Sequence, residues 1–262
     1  MSTSTYALRD SRTMLRRNLK HAQRYPSMTI SVVAMPILML LLFVYVFGGA
    51  LGNGIGAPSG RDGYTDYVTP GIILMAVTSG SVATAVAVCT DMTEGIINRF
   101  RTMAISRSAV LVGHVVGSVI QTMISLVLVI GVALAIGFRP DATAVEWVAA
   151  IGLLAFLAFG LTWLSAGLGM LSPNVETASN APMPLMFLPF LGSAVVPPES
   201  MPWGLRWFAE YQPFTPINET LRGLLLGSGI GNDAWFALGW CAVLTALGFL
   251  WARSVFNRGA KR

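Results

Sequence analysis

Charged side chains are scarce in this chain. Asp, Glu, Lys and Arg make up only 11% of its 262 residues, whereas a soluble domain carries about 25%. Hydrophobic residues make up 54% of the chain, and the mean hydropathy is +0.66. This balance excludes an ordinary soluble domain and indicates an integral membrane protein.

Residues suited to metal binding and catalysis are also few. The two cysteines, Cys89 and Cys241, lie in apolar runs and give neither a disulfide framework nor a zinc site. The two histidines, His21 and His114, are far apart in the chain, and neither lies beside an obvious nucleophile. No G-x-S-x-G motif occurs. We therefore predict no metal site and no catalytic residue.

The sequence also lacks a phosphate-binding loop. The pattern G-x-x-x-x-G-K-[ST] does not occur, so we do not expect this chain to bind ATP through such a loop. The acidic residues in or beside hydrophobic runs lie near the ends of those runs, which weighs against a proton-driven transporter. One hypothesis is that energy arrives from a separate cytoplasmic subunit.

Six hydrophobic runs follow a basic amphipathic segment at residues 6–24. Such a segment is typical of a helix lying at a membrane surface, and a solvated tail is the alternative. We expect no cleavable signal peptide, because the first 28 residues hold six Lys and Arg and no apolar core. Each run has the length of about 20 residues that crosses a ~30 Å hydrocarbon core. The predicted organisation is an interfacial helix at 1–27, a six-helix membrane domain at 28–254 with spans at 28–50, 68–90, 109–137, 145–171, 176–196 and 233–254, and a tail at 255–262.

The placement of Lys and Arg predicts the orientation. Thirteen of the 17 basic residues lie in the N-terminal segment, the segment 91–107 and the C-terminal end of the chain from Arg253 onward. Because basic residues collect on the cytoplasmic side of a membrane, these three parts are predicted to be cytoplasmic, in a multi-pass protein of the cell membrane. Basic residues in the cytoplasmic parts account for the pI of 9.6. We therefore predict no nucleic-acid partner. The other four basic residues are Arg61, Arg139, Arg206 and Arg222.

The segment Asp91–Arg107, DMTEGIINRFRTMAISR, is a charged stretch between the second and third hydrophobic runs. Its apolar residues fall on one helical face, and most of its charged and polar residues lie on the other side. A short helix of this kind would lie flat at the membrane surface with a charged face open to a partner. A basic loop without a partner is the alternative. The apolar face consists of Ile96, Ile97, Phe100, Met103 and Ala104.

Three prolines set the fifth run apart from the others. Each proline removes a backbone hydrogen bond that lipid cannot replace, so the freed carbonyls need a neighbouring helix or a water-filled path. The pattern predicts a kinked helix at a protein interface or a conduit, where Met and Phe side chains would offer a soft, polarizable surface. A merely structural kink is the alternative. The prolines are Pro182, Pro184 and Pro189.

Residues 197–232 are too apolar for a solvated loop and too interrupted to span the membrane. They contain two short helical patterns, at about 202–211 and 216–226, split by Pro213 and Pro216. We interpret the segment as a pair of re-entrant or interfacial helices that cover the outer side. Its aromatic residues are spaced for one face at headgroup level. They are Trp203, Trp207, Phe208 and Tyr211.

Three stretches of the chain resemble a known family. DMTEGIINRFRTMAISRSAVLVGHV looks like the signature of the type-2 ABC transporter permeases, and the resemblance is closest to the daunorubicin/doxorubicin-resistance branch. MPLMFLPFLGSAVVPPESMPWGLRWFAEYQPFTPINETLRGLLLG resembles the family's fifth span and outer segment. YVTPGIILMAV, which enters the second span, is a softer match.

The resemblance implies six transmembrane helices, an N-terminal interfacial helix, a cytoplasmic coupling helix and outer re-entrant helices before the last span. It also implies two permease copies, which we take to be a homodimer, and two separate ATPase subunits that hold the ATP and Mg. The chain itself would carry no cofactor. Ala104 stands where the family commonly has proline, so the coupling helix could end one turn later. The ATPase-coupling role carries over to Glu94, Gly95, Ile96, Ile97, Asn98, Arg99, Phe100 and Arg101.

The resemblance implies a permease that exports hydrophobic or amphipathic drugs or natural products through the membrane. Within the family, the alternative cargo is a lipid or glycolipid. Two further alternatives are an intramembrane enzyme and a non-transporting scaffold, and the proline-interrupted run argues against the scaffold. We expect the outer gate at Trp203, Trp207 and Tyr211. The candidate lining of the translocation path is Met35, Pro36, Met183, Met186, Phe187 and Phe190.

Overall fold

The computed structural model describes residues 26–54, 60–94 and 107–259. Within these ranges the chain is helical apart from turns and short connections, and they contain no β-strand. The predicted all-α membrane fold is confirmed. The predicted N-terminal interfacial helix lies outside the described ranges.

The α-helices follow the predicted hydrophobic runs closely except at the fifth run. A π-helical stretch, Leu42–Phe47, continues the first helix into the second without a break, and a 3-10 turn covers Pro198–Ser200. In chain order, the α-helices are α1 (Pro26–Leu41), α2 (Gly48–Gly54), α3 (Arg61–Thr93), α4 (Arg107–Ile136), α5 (Ala144–Leu171), α6 (Val175–Asn180), α7 (Met183–Phe187), α8 (Trp203–Tyr211), α9 (Phe214–Leu226) and α10 (Asp233–Gly259).

Among the described residues, five helical stretches are long and apolar enough to cross a membrane. The stretch Arg61–Thr93, which is α3, is the central one. In its most apolar part 83% of the residues are buried, against 17% to 39% for the other four stretches. The other four are Val33–Gly54, Leu111–Ile136, Ala144–Leu171 and Asp233–Phe256.

Small residues let three other segments approach α3 closely. A Cβ atom added to Gly71 would lie 2.6 Å from the Cβ of Ala194, and one added to Gly80 would overlap the side chain of Thr122. Near the other end of α3, the backbone of Ala85 packs directly on Gly169. Close backbone approach at small residues is a common way for helices to pack within a membrane. The two ends of α3 are called the Arg61 end and the Thr93 end below.

Glycines also set the contact between α5 and α10. An added Cβ on Gly160 would lie 2.9 Å from Thr245 Oγ1, and one on Gly167 would lie 2.8 Å from the ring of Trp251. The α5 helix starts at a capping box in which Thr143 N donates to Glu146 Oε2 at 2.6 Å. These features hold α5 between α3 and α10, so that α5 supports the central helix from the side.

The fifth run differs from the single kinked helix that the prolines predict. It forms the short helices α6 and α7, and turns follow as far as residue 196. The three prolines lack backbone N–H groups, and the proline rings crowd the preceding turn, so regular helix is interrupted more than once. The prediction of one continuous helical span at 176–196 is therefore wrong, because this stretch consists of two short helices and a series of turns. Residues 172–196 are called the broken segment below.

The broken segment nevertheless runs along most of α3. At one end Cys89 Sγ lies 3.6 Å from the carbonyl oxygen of Ser172, and at the other Tyr64 Oη donates to the carbonyl of Val195 at 3.3 Å. Tyr64 and Cys89 are 25 residues apart in one helix, which corresponds to about 37 Å at the helical rise per residue. That length exceeds a hydrocarbon core of about 30 Å. A sixth crossing made by this segment stays a prediction.

Candidate functional site

Side chains from other elements donate hydrogen bonds to three backbone carbonyls of the broken segment. Gln212 Nε2 donates to the carbonyl of Leu188 at 2.9 Å. Tyr64 Oη donates to the carbonyl of Val195, as described above. The third carbonyl belongs to Ser193. Replacing lost backbone bonds in this way is what an interrupted helix in lipid requires.

The carbonyl of Ser193 accepts three hydrogen bonds. They come from Tyr67 Oη at 3.1 Å, Asn218 Nδ2 at 3.1 Å and Arg222 Nη2 at 2.8 Å. Asn218 Nδ2 also lies 3.0 Å from Ser193 Oγ. A carbonyl oxygen has two lone pairs, so three donors exceed its usual number of partners. The four residues Tyr67, Ser193, Asn218 and Arg222 are called the Ser193 latch below, and they join the broken segment to α3 and α9.

Arg222 carries the charge of the latch, and its surroundings balance that charge. Its Nη1 atom donates to Glu219 Oε1 at 2.6 Å, and its Nη2 atom also donates to the carbonyl of Tyr67 at 3.2 Å. The guanidinium lies 3.9 Å from the centroid of the Tyr67 ring, within the range of a cation–π interaction. Only 12% of its side chain is exposed. A buried charge needs such pairing, so Arg222 is held in one position.

A second contact ties the broken segment to the connection between α8 and α9. An added Cβ on Gly192 would overlap the amide of Gln212 and lie 2.6 Å from Thr215 Oγ1. Gln212 Nε2 is also 3.4 Å from Thr215 Oγ1. Any side chain at Gly192 would therefore push the outer helices away from the broken segment.

The predicted path residues lie on α1 and on the broken segment, and a ring contact brings these two elements together. The rings of Phe43 and Phe190 are 6.3 Å apart between centroids, and Phe43 belongs to the π-helical continuation of α1. Met35, Met183 and Phe187 are exposed at 41%, 47% and 56%. Of the others, Pro36 is buried, and Met186 and Phe190 are half-buried.

A shallow apolar groove of about 350 Å³ lies elsewhere, between α5 and α10. It contains none of the predicted path residues. The groove is therefore separate from the predicted path residues. The groove is lined by Phe156, Phe159, Trp163, Ala242, Thr245, Ala246 and Phe249.

The predicted outer-gate residues share the exposed face of α8. Trp203, Trp207 and Tyr211 are 87%, 63% and 66% exposed, and the rings of Trp207 and Tyr211 are 5.6 Å apart between centroids. On the same helix, a hydrogen bond of 2.7 Å to Glu210 raises the pKa of the Arg206 guanidinium. The helix is therefore amphipathic, with its aromatic side chains available to a membrane surface or to a ligand.

The predicted coupling residues lie mostly beyond the described ranges. Glu94 is exposed, and its backbone N–H closes the last turn of α3 by donating to Thr90 at 2.9 Å. Residues 95–101 and Ala104 lie outside the described residues. Near the Thr93 end, Asp91 Oδ2 and His114 Nε2 are 2.9 Å apart between α3 and α4.

Sequence reasoning missed the latch. It counted Arg222 only among the four basic residues outside the predicted cytoplasmic parts, and it did not assign a role to Tyr67, Ser193 or Asn218. One signal was available, because Arg222 precedes GLLL and lies in a strongly apolar stretch. Charged residues are rare within the membrane-embedded parts of a protein, and they mark paired or functional positions there.

Comparisons with known proteins support the assignment to a family. Residues 9–226 match the ABC-2 type transporter family. The chain is 29% identical over 217 residues to the daunorubicin resistance ABC transporter permease protein DrrB1 of Streptomyces coeruleorubidus, covering 82% of this chain and 75% of the relative. It is 21% identical over 220 residues to the probable doxorubicin resistance ABC transporter permease protein DrrC of Mycobacterium tuberculosis, covering 81% and 79%. The chain belongs to the ABC-2 type transporter family, and it is a multi-pass membrane transport subunit.

Proposed function

We propose that this chain is the permease subunit of an ATP-driven exporter of hydrophobic or amphipathic compounds. Its relatives carry names that refer to resistance to daunorubicin and doxorubicin, which are lipophilic drugs, and the proposal extends that cargo class to this chain. ATP and Mg would be bound by a separate ABC ATPase. The working unit would contain two permease copies, as a homodimer, and two ATPase subunits in the cell membrane.

The single observation that carries the proposal is the broken segment. Its carbonyls at Ser193 and Val195 accept hydrogen bonds from side chains of other elements, and the carbonyl of Leu188 accepts one from Gln212 Nε2 as well as one from the backbone N–H of Leu191. Side-chain bonds can exchange partners more readily than a continuous helical ladder can. Three buried polar atoms next to the segment have no partner among the described residues, which leaves them capacity for a second arrangement. These atoms are Gln212 Oε1, Asn218 Oδ1 and Arg222 Nε.

The exposed apolar faces beside the broken segment fit a permease that works in pairs. Met183 and Phe187 are exposed on the broken segment, and Met35 is exposed on α1. We propose that these faces meet the second copy and, with Pro36, Met186 and Phe190, line the path between the two copies. Trp203, Trp207 and Tyr211 would form the outer gate at the Arg61 end of the bundle.

The movement that powers transport would enter at the Thr93 end of the bundle, opposite the outer gate. Both chain termini and residues 91–107 are proposed to be cytoplasmic, and residues 94–101 would fit a cleft in the ATPase. Closure of the ATPase dimer on ATP would displace this segment and, through α3 and α4, the helices around the broken segment. Cargo would enter from the inner leaflet and leave on the outer side.

The proposal is tested by purifying the full-length chain from its own membranes and reconstituting the complex in proteoliposomes. We expect an ABC ATPase to co-purify with the chain, and ATP to drive uptake of daunorubicin or doxorubicin into inside-out vesicles. An ATPase mutant without hydrolytic activity is the matched control and should abolish uptake. Failure to obtain any ATPase with the chain, or uptake that does not depend on ATP, would contradict the proposal.

A lipid or glycolipid exporter is the second candidate function. The exposed aromatic row on α8 favours it, because aromatic rings stack on sugar rings and also sit at headgroup level. The same vesicles distinguish the two functions. ATP-driven movement of a fluorescent lipid or glycolipid, without drug uptake, would assign the chain to this second cargo class.

A further inference from the structure

Two buried polar side chains join α3 and α4 on either side of the segment that connects them. Asp91 lies two residues before the end of α3, and His114 lies seven residues after the start of α4. Their Oδ2 and Nε2 atoms are 2.9 Å apart, and both residues are at least nine-tenths buried. The pair therefore joins the two helices that flank residues 95–106.

A hydrogen bond fixes the relative position of two helices in a way that apolar packing does not. A slip by one helical turn moves a side chain by about 5.4 Å, which would separate these two atoms completely. Apolar side chains adapt to a shift of register more easily, because their contacts have no direction. The Asp91–His114 pair thus gives α3 and α4 one axial register at the Thr93 end.

The neighbours of His114 extend this connection to other helices. Leu111 lies one turn before His114, and Val115 is the next residue after it. Both belong to an apolar cluster that also contains Trp163 of α5 and Ala252 of α10. The start of α4 is therefore held by a polar contact to α3 and by apolar contacts within this cluster. A displacement of the connecting segment would reach three other helices at this one level.

We propose that Asp91 and His114 are positioning residues that make α3 and α4 move as one unit when the segment 95–106 is displaced. This inference rests on the proposed function, in which that segment receives the movement of an ATPase. It adds two residues beyond those that the family resemblance assigned to coupling. They act on the connecting segment through its flanking helices and touch neither cargo nor nucleotide.

The test separates positioning from stability by replacing both partners with apolar residues. An isolated half of a buried pair destabilises a protein, whereas exchange of the whole pair for hydrophobic side chains is often neutral or stabilising. The double variant Asp91→Leu/His114→Leu should therefore fold, but without the directional bond. Asp91→Asn keeps a hydrogen-bonding partner for His114. Thr122→Val is the matched control, since Thr122 is a buried polar residue that packs on α3 at Gly80, far from the segment.

The measurement is transport per ATP hydrolysed by each complex in proteoliposomes, with rhodamine 123 and a fluorescent phospholipid as probes. For Asp91→Leu/His114→Leu we expect an unchanged melting temperature and a ratio that falls roughly tenfold, in the range found for coupling residues. Asp91→Asn and Thr122→Val should keep most of the wild-type ratio.

Each other outcome counts against the inference. A double variant with the wild-type ratio would show that the bond is not needed for coupling. A double variant that fails to accumulate, while Thr122→Val does accumulate, would make the pair a requirement of the fold alone. A wild-type complex that moves neither probe with ATP would contradict the proposed function itself, and that result is separate from a failure of the variant.

Discussion

Replacing Arg222 with Met should loosen the outer helices from the broken segment. In the native chain this guanidinium donates to the carbonyls of Ser193 and Tyr67, pairs with Glu219 and lies over the Tyr67 ring. The substitution keeps an unbranched apolar stem and removes all of these contacts together. The Ser193 carbonyl still accepts bonds from Tyr67 and Asn218, so it is not left without a partner.

The expected loss follows from the individual contacts. Two hydrogen bonds from a charged donor contribute about 1.5 kcal/mol each at the lower end of the measured range. The cation–π contact adds about 0.5–1 kcal/mol. Glu219 is one-third exposed, so its unpaired charge is partly solvated and adds little. The free energy of unfolding should fall by about 3.5–4 kcal/mol, which corresponds to a melting temperature lower by roughly 10 °C.

The assay is thermal denaturation of the purified protein, followed by size-exclusion chromatography in detergent. Arg222→Lys keeps the charge but loses the planar fork, so its melting temperature should lie between those of wild type and Arg222→Met. The matched control is Arg206→Met, which breaks an exposed arginine–carboxylate pair on α8 and should change little. If Arg222→Met has the melting temperature of the wild type, or if Arg206→Met lowers the melting temperature equally, the latch does not hold the outer helices.

Two further predictions concern the central helix and the connecting segment. Gly71→Ala should destabilise the protein by about 1–3 kcal/mol, because the new Cβ would lie 2.6 Å from that of Ala194. Gly152→Ala, at an exposed helical site with no atom within 4 Å of the new Cβ, should be neutral or stabilising, and equal thermal shifts for the two variants would argue against the close contact. Replacing Glu94 and Arg99 with Ala should cut the coupling of ATP hydrolysis to transport and leave membrane insertion intact. Persistent ATP-driven transport in that double variant would show that the segment is not the lever.

The long helices could be predicted from the sequence because hydrophobic length alone dictates them. A run of about 20 apolar residues has few alternatives to a helix in lipid, where every backbone group needs a partner. The α5 helix also has a local start signal, since Thr143 and Glu146 form a capping box. The two outer helices were predicted within two residues of their observed bounds. Pro216, expected to separate them, lies instead in the first turn of α9, where proline is tolerated.

The arrangement of the broken segment could not be predicted in the same way. The prolines indicated that carbonyls would lack partners, and a local pattern carries no information on which side chains supply them. The donors to the Ser193 carbonyl are 126, 25 and 29 residues away in the chain. Tyr67 is brought there by α3, and Asn218 and Arg222 by one face of α9. Only the packed fold brings these three side chains to one oxygen atom.

The most direct measurement of the central claim is ATP-driven transport by the complex formed from this chain and its co-purified ATPase. ATP and a regenerating mixture are added outside the proteoliposomes. The accumulation of lipophilic drugs is then compared with that of lipids. We predict accumulation of one cargo class that requires ATP hydrolysis and is lost in the Glu94 and Arg99 double variant. Accumulation without ATP, or a purified chain that carries out turnover with no ATPase present, would contradict it.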